Sequence, residues 1–478
     1  MRRCELASLR ENPYLKDANP SATAWLALVC VSAGNFLTAM SNSGITLSLP
    51  AIAAEYPATA VQLSWVPTIF VLTNAILILP FGRLADRVGL KRVYITGMVL
   101  FSLACAAAAV APDFNWIIAL RALQACGAAM LQACGMAIVM QLFPQNRRGT
   151  AIGIGASCLY LGLSVGPPLG GFITDTLGWR ATFMVPLPFS VIVIGLIVLF
   201  LRQEWRNDEP INFDVVGFAL LAASLILLMM GVSALPAHEG ALMAFGGLAL
   251  AIAFIYTQMT FKNPLLRLKA IVGNRVFSRS ALFQMNMYAA AYSVMYLVSL
   301  YLQYIKGLSA SMAGTAMLVQ ATLMAIVAPL AGRIADSTSP RLISTCGSAA
   351  AALGYLGLVS VGFETPLVLV YGCLALVGIG MGMFTSPNYK LALGAVPSDR
   401  LATGTAVINS ARNVGNIIGM SVVLMLVALR LSGEQIAPAN YDDFLSAVRG
   451  AFVFSFGSAL MAALLGLKEL RRSQQPSG

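Results

Sequence analysis

The chain has 478 residues, of which 58% are hydrophobic and only 10% are charged. Soluble globular domains carry about 25% charged residues, so this composition excludes a water-soluble fold. The net charge of +11 could indicate a nucleic-acid surface, but basic residues also concentrate in the cytoplasmic loops of membrane proteins. We adopt the second interpretation and expect no nucleic-acid partner.

Fourteen apolar segments follow one another along the chain, and a helix of about 20 apolar residues is long enough to cross the hydrocarbon core of a bilayer. We therefore predict an all-α integral membrane protein with 14 transmembrane helices. The predicted spans are 25–51, 62–81, 93–112, 116–143, 149–173, 180–202, 215–235, 240–261, 278–302, 311–331, 341–362, 366–389, 402–429 and 448–466.

Most Lys and Arg residues fall in alternate loops and in the two tails, 1–24 and 467–478. Because positive charge stays on the cytoplasmic side, both termini are predicted to be cytoplasmic, in a plasma membrane or a bacterial inner membrane. The first tail contains several charged residues and no apolar run, so the first helix is expected to act as the insertion signal. The eight cysteines form no C-x-x-C pair, which predicts no metal site.

An internal repeat divides the chain. Gly-Arg-Leu-Ala-Asp-Arg at 82–87 follows the second predicted helix, and Gly-Arg-Ile-Ala-Asp-Ser at 332–337 follows the tenth. The repeat interval is eight helices, which indicates two six-helix bundles separated by an extra pair. The predicted parts are a first bundle at 25–202, a linker with an inserted hairpin at 203–279, and a second bundle at 280–466.

Three motifs together carry a family resemblance. They are the loop at 82–92, the segment Arg-Ala-Leu-Gln-Ala-Cys-Gly at 121–127, and Gly162 followed by Gly-Pro-Pro-Leu-Gly-Gly at 166–171. The sequence resembles the major facilitator superfamily, and within it the fourteen-helix drug:proton antiporter branch. This resemblance implies a monomer in membrane lipid that moves a small-molecule substrate by alternating access, with protons as coupling ion and no cofactor.

The loop at 82–92 is predicted to be a conformational latch. Glycine suits a tight turn where backbones approach or φ is positive, and the basic side chains face anionic headgroups. The Asp86 carboxylate can cap a helix N-terminus or pair with these bases, and the resemblance implies that it docks the two bundles. The alternative is a basic loop that only sets topology. The latch residues are Gly82, Arg83, Asp86, Arg87, Gly89, Lys91 and Arg92, with Asp336 in the repeat.

A run of small residues in the fifth helix is predicted to lie at the interface between the bundles. Gly162, Gly166 and Gly170 recur every four residues, so one helix face lacks side chains, and a proline interrupts the helical hydrogen bonds. Ordinary small-residue packing is the alternative. The predicted interface residues are Gly162, Gly166, Pro167, Gly170 and Gly171.

Polar residues inside apolar spans predict a substrate cavity, because lipid cannot solvate them. Arg121 and Arg412 are the only charged residues well inside the predicted spans, and each could instead tie helices together through backbone carbonyls. The predicted cavity residues are Asn35, Thr38, Ser41, Asn42, Arg121, Gln124, Tyr288, Tyr292, Tyr296, Asn409, Arg412, Asn413 and Asn416.

One departure from the family pattern concerns the coupling group. The branch usually carries an aspartate in the first helix, and Ser41 occupies that place. None of the 19 carboxylates falls in the middle of a predicted span, so the usual group that titrates and binds cationic drugs is missing. A cavity with arginines and no carboxylate favours neutral or anionic substrates.

The leading hypothesis is a secondary exporter of amphipathic small molecules of the multidrug-efflux type. The alternatives are a dedicated exporter of a neutral or anionic endogenous metabolite or lipid-like compound, and a transport-inactive membrane sensor. A primary pump is disfavoured because the sequence has no G-x-x-x-x-G-K-[ST] loop. An enzyme is not expected, because the single His238 has no nucleophile or metal-ligand cluster beside it.

Overall fold

A computed structural model describes residues 20–144, 147–206, 214–261, 264–265, 274–396, 401–431 and 434–474. Fourteen helices account for nearly all of this part of the chain. They are α1 Ala22–Glu55, α2 Ala60–Val88, α3 Leu90–Ala109, α4 Phe114–Leu142, α5 Arg148–Leu177, α6 in two pieces (Trp179–Met184 and Pro186–Phe200), α7 Val215–Ser233, α8 His238–Thr260, α9 Arg275–Leu300, α10 Ala310–Ser337, α11 Pro340–Val359, α12 Leu367–Gly394, α13 Leu401–Leu431 and α14 Tyr441–Gln474.

Each of the 14 predicted spans coincides with one helix, which confirms the all-α prediction. Twelve helices among the described residues are long and apolar enough to cross a membrane, and α5 and α9 are the other two. Parts of the predicted tails and linkers (1–19, 207–213, 262–263, 266–273 and 475–478) lie outside the described residues.

Polar side chains explain where several helices begin, because the first backbone N–H groups of a helix need acceptors. Ser21 accepts from the N–H of Ala24 to start α1. Thr59 and Gln62 form a reciprocal capping box at the start of α2. The side chains of Asp113 and Ser309 accept from backbone N–H groups at the starts of α4 and α10. The apolar runs therefore have defined entry points at the membrane boundary.

The packing of the helices repeats with the eight-helix interval. In the first bundle α1 packs on α5, α2 on α4, and α3 on α4; in the second, α9 packs on α13, α10 on α12, and α11 on α12. The contacts between the bundles also correspond, because α5 packs on α10 while α13 packs on α2. This arrangement is the expected six-plus-two-plus-six architecture.

The inserted helices α7 and α8 pack on each other, and α7 also contacts α2 and α13. Leu79 of α2 and Phe218 of α7 pack against a cluster that includes Val407 of α13. The Asp214 carboxylate starts α7, accepting from the N–H of Gly217 at 2.7 Å and from Gln258 Nε2 of α8 at 2.8 Å. The hairpin therefore covers the seam between the two bundles.

The helices have two ends, and we name each after one carboxylate. At the Glu55 end α1 ends and α10 begins, and at the Asp86 end α2 ends. Hydrogen bonds from backbone N–H groups join the bundles at the Glu55 end. The Ala60 N–H donates to the Glu434 carbonyl at 2.9 Å, and the Asp175 carboxylate accepts from the Ser311 N–H at 2.8 Å. These bonds hold α2 and α5 of the first bundle to the second bundle.

Candidate substrate site

A cavity of about 190 Å³ lies between the two bundles. Its walls come from α1, α2, α4 and α5 on one side and from α9, α10, α12 and α13 on the other. The wall combines polar groups with aromatic and thioether side chains, which suits an amphipathic ligand. Its lining includes Thr38, Asn42, Ser43, Thr46, Asn74, Gln132, Tyr160, Ser164, Tyr288, Tyr292, Met295, Tyr296, Met317, Gln320, Met324, Met381, Arg412, Asn413 and Asn416.

The structure places eight of the predicted cavity residues on this wall: Thr38, Asn42, Tyr288, Tyr292, Tyr296, Arg412, Asn413 and Asn416. The other five do not line it, which corrects the prediction for them. Ser41, Arg121 and Gln124 are buried behind the wall. Asn409 accepts from the Tyr389 hydroxyl at 2.5 Å, within the second bundle, and Asn35 lies nearer the Asp86 end of α1.

Three tyrosines of α9 each contact a different helix of the first bundle. The Tyr288 hydroxyl lies 3.0 Å from that of Tyr160 on α5, and the Tyr296 hydroxyl lies 2.9 Å from that of Ser64 on α2. Between them, Asn42 Nδ2 of α1 donates to the Tyr292 hydroxyl at 3.3 Å. Residues four apart share a helix face, so the spacing of these tyrosines places all three against the first bundle.

Arg121 is fully buried, with 0% exposure, and only neutral groups surround it. Its guanidinium donates to Gln124 Oε1 at 2.5 Å and to Asn42 Oδ1 at 2.8 Å, and its Nε donates to the Val66 carbonyl at 3.3 Å. The guanidinium also stacks 4.5 Å from the ring centre of Phe70. These contacts join α4 to α1 and α2 and give each nitrogen of the buried guanidinium one hydrogen-bond acceptor.

A second branch of this network reaches Ser41. Gln124 Nε2 donates to the Ser41 hydroxyl at 3.0 Å and to the Cys105 sulfur at 2.9 Å. Because Gln124 Oε1 already accepts from Arg121, its amide nitrogen must face away from that residue. The position where the family resemblance places an aspartate therefore lies beside the Arg121 network, behind the cavity wall.

Arg412 differs from Arg121 because it lines the cavity. Its guanidinium carbon lies 6.0 Å from the ring centre of Tyr288. The next residue, Asn413, is buried, and its Nδ2 has no hydrogen-bond partner among the described residues. The same is true of Asn416 Oδ1, one turn further along α13. Polar groups of α13 are thus available to a ligand.

No carboxylate is among the described residues that line the cavity. The two ion pairs between described residues, Glu55 with Arg180 and Glu204 with Arg92, lie at the two ends of the helices. Asp214 starts α7 at the membrane boundary. This arrangement agrees with the expectation that the arginines in the centre of the protein have no carboxylate partner among the described residues.

Sequence reasoning missed several lining residues. Asn74, Tyr160 and Gln320 are polar residues in the middle of apolar spans. Their polar neighbours on the same helices are serines and threonines, which are common in membrane helices, so no stripe of amides or charges marked them. The signal that could have found them is the cost of any single polar group at that depth in a membrane.

The latch residues make contacts that differ from the prediction. No hydrogen bond or ion pair joins Asp86 to another described residue, so the expected helix cap is not present. Gly89 has the predicted positive φ, 120°, whereas a side chain at Gly82 would meet open space. The structure describes the backbone of Asp336, and its side chain lies outside the described part.

Glu204 holds the loop instead, and sequence reasoning did not select it. Its Oε1 accepts from the Lys91 N–H at 2.9 Å, its Oε2 lies 3.7 Å from Arg92 Nε, and the neighbouring Trp205 carbonyl accepts from the Leu90 N–H. A carboxylate at the start of α3 satisfies free N–H groups there. These bonds join α3 to the start of the linker after α6, while Arg83 donates to the Pro264 carbonyl beyond the hairpin.

The small residues of α5 lie at two different interfaces, which corrects their single assignment. A side chain at Gly162, Gly166 or Gly170 would collide with α1, a helix of the same bundle. A side chain at Gly171 would collide with the Ala310 carbonyl of α10, and Gly314 of α10 packs against Pro167. The four-residue glycine spacing therefore serves packing inside the bundle, and only Gly171 and Pro167 face the other bundle.

Comparison with known proteins adds family and fold. Residues 31–420 match the Major Facilitator Superfamily model. The riboflavin transporter RibZ of Clostridioides difficile is 26% identical over 94% of this chain and 98% of its own. The methyl viologen resistance protein SmvA of Salmonella typhimurium is 28% identical over 87% of this chain and 85% of its own. An inward-facing bacterial homolog of the human lysosomal transporter Spinster has a TM-score of 0.69 at 15% identity, over 95% of this chain and 98% of that one.

Proposed function

The chain belongs to the Major Facilitator Superfamily, and from this premise we propose that it is a secondary exporter of neutral or anionic amphipathic small molecules. It works by alternating access, without chemistry on the substrate. The observation that carries the proposal is a cavity that both bundles share, with Arg412 on its wall and no carboxylate among its described lining residues.

Electrostatics supports the choice of substrate charge. A cation entering a low-dielectric cavity exchanges its hydration for whatever the wall supplies, and an unpaired ion there costs several kcal/mol. Arg412 repels a cation and attracts an acid or the negative end of a dipole. The buried charge of Arg121, one residue layer behind Asn42, adds to the same potential.

The compounds in the names of two relatives differ in charge. RibZ is a riboflavin transporter, and riboflavin is a neutral aromatic compound with several carbonyl groups. SmvA is a methyl viologen resistance protein, and methyl viologen is a permanent dication. The wall of this cavity supports a substrate of the first kind, because no carboxylate among its described lining residues would offset two positive charges.

The test is uptake into inside-out vesicles, which corresponds to export, for riboflavin, methyl viologen and an aromatic sulfonate. We expect saturable uptake of riboflavin or the sulfonate and no uptake of methyl viologen above vesicles that lack the protein. The same measurement in right-side-out vesicles reports direction, and an imposed pH gradient reports coupling to protons. Efficient, pH-driven uptake of methyl viologen would refute the proposal.

Two alternatives have distinct outcomes in this assay. A dedicated exporter would transport one compound of a neutral or anionic series and leave close analogues behind. A transport-inactive sensor would bind a ligand without any flux. The shared, partly unsatisfied polar wall favours transport over a purely structural role, since buried polar groups without partners are costly to keep.

A further inference from the structure

The hydrogen bonds around Arg121 have only one possible direction. A guanidinium carries five N–H donors and no acceptor, so whatever faces it must accept. Asn42 therefore presents its Oδ1 to Arg121, at 2.8 Å, and its Nδ2 must point the other way. That nitrogen donates to the Tyr292 hydroxyl across the bundle interface at 3.3 Å. A buried cation thus sets the orientation of two further side chains.

This chain of hydrogen bonds ends at the cavity surface. Arg121 has 0% exposure and does not touch the cavity, whereas Asn42 and Tyr292 both line it. Because the Tyr292 oxygen accepts from Asn42, the proton of its own hydroxyl remains free to donate. The wall at this point therefore offers a free hydrogen-bond donor, in a direction that the contact with Asn42 fixes.

Other donors face the same space. Asn74 Nδ2 and Asn413 Nδ2 belong to lining residues that are 5% and 6% exposed, and neither atom has a partner among the described residues. Arg412 adds a guanidinium, which can only donate. The rings of Tyr160 and Tyr288 supply flat apolar surface beside these donors. Asn416 Oδ1 is an unpartnered acceptor on the same wall, so the donors outnumber it, and together with the aromatic faces they match a flat molecule with several acceptor oxygens.

We infer that the relay from Arg121 through Asn42 to Tyr292 selects aromatic substrates that carry carbonyl oxygens, in the manner of quinones and other fused-ring ketones. Arg121 acts as a positioning residue, since it reaches the substrate only through its neighbours. The inference rests on the proposed function for the identity of the cavity as the transport site. It adds the substrate class, which charge alone does not define.

The experiment compares two probes in equilibrium binding to the purified full chain in lipid nanodiscs. Anthraquinone-2-sulfonate and anthracene-2-sulfonate have the same charge and the same three fused rings, and they differ by two carbonyl oxygens. One or two hydrogen bonds in a desolvated site correspond to about a tenfold ratio of dissociation constants. We therefore expect the unmodified protein to bind the anthraquinone about tenfold more tightly.

Variants of the relay should remove this preference. Tyr292→Phe deletes the terminal donor, and Asn42→Asp turns the middle of the relay into an acceptor, so each should bring the ratio close to one. Arg121→Gln should lower the ratio and Arg121→Lys should restore part of it, because lysine also only donates. Tyr355→Phe is the matched control, since Tyr355 is buried away from the cavity wall, has a hydroxyl without a described partner, and should leave the ratio unchanged.

Equal binding of the two sulfonates by the unmodified protein, or binding of neither, overturns the inference. An unchanged tenfold ratio in Asn42→Asp and Tyr292→Phe also overturns it, provided that both variants melt like the unmodified protein. A tenfold ratio that disappears in these variants supports it. If that ratio is found in a protein that transports neither compound, the relay stands and the proposed function fails.

Discussion

Arg121 and Arg412 are the same residue type at similar depth in the two bundles, yet their surroundings are different. Arg121 has 0% exposure, and three protein oxygens accept its hydrogen bonds. Arg412 lines the cavity, and its guanidinium carbon lies 6.0 Å from the ring centre of Tyr288. Neither forms an ion pair with a described carboxylate.

The difference shows that an intramembrane charge can build a wall or face a ligand, and that only its partners distinguish the two roles. A charge that the protein has already hydrogen-bonded contributes to a ligand mainly through its long-range field and through the groups it orients. A charge on the cavity wall can bond the ligand directly. The following predictions separate the two roles, from the largest expected effect to the smallest.

The largest effect is expected on stability. Arg121→Gln leaves the Asn42 and Val66 oxygens without a donor in a buried site, and removing one member of such a network costs about 2–4 kcal/mol. Arg412→Gln should cost less than about 1 kcal/mol, because its guanidinium lines the cavity, where water can take its place. Denaturant or thermal unfolding of the two variants in the same detergent makes the comparison. Equal losses of stability would contradict the division into wall and ligand site.

The next effect concerns binding of acids. Arg412→Gln should weaken binding of anionic amphipaths by about 10- to 100-fold, because a desolvated charge-assisted hydrogen bond is lost. Neutral compounds of the same shape should change by less than about threefold. Arg412→Lys keeps the charge and serves as the control. A parallel loss for neutral and acidic ligands would instead assign Arg412 to general packing.

A carboxylate outside the cavity provides a contrast to both arginines. Asp86→Asn should leave ligand affinity nearly unchanged and reduce transport, through a shift of about 1–2 kcal/mol between the two access states. Because Asp86 forms no hydrogen bond or ion pair with a described residue in this structure, we expect its contribution to arise in the other state. Crosslinking across the Asp86 end reports that shift, and Glu204→Gln is the comparison, since Glu204 is bonded in this state. Unchanged crosslinking and transport would reduce Asp86 to a residue of a topology-setting loop.

The smallest effect is expected from restoring the missing acid. Ser41 accepts from Gln124 behind the wall, so an aspartate there would neutralise Arg121 without touching a ligand. Ser41→Asp should therefore improve binding of monocations by only a few-fold, an electrostatic effect transmitted through the wall. Ser41→Asn matches it in size without the charge. A large gain for dications would mean that position 41 reaches the cavity directly.

Much of the site could be predicted because membranes penalise isolated polar groups so strongly that a stripe of them in an apolar helix has few explanations. Of the four residues in the predicted stripe on α13, Arg412, Asn413 and Asn416 line the described cavity, and Asn409 does not. The stripe on α4 failed for Arg121 and Gln124, because periodicity identifies the face of a helix but not the neighbour that the face meets.

The sequence alone determined the helices, their number and the eight-helix repeat, since length and hydropathy are local properties and the repeat is written in the chain. Only the tertiary structure decided which polar groups satisfy one another and which remain for a ligand. The glycines of α5 pack inside their own bundle, Glu204 replaces Asp86 as the partner of the loop, and Arg121 turns inward to Asn42. The physical reason is that hydrogen bonds between helices depend on distances of a few tenths of an ångström across segments far apart in sequence, which no local pattern encodes.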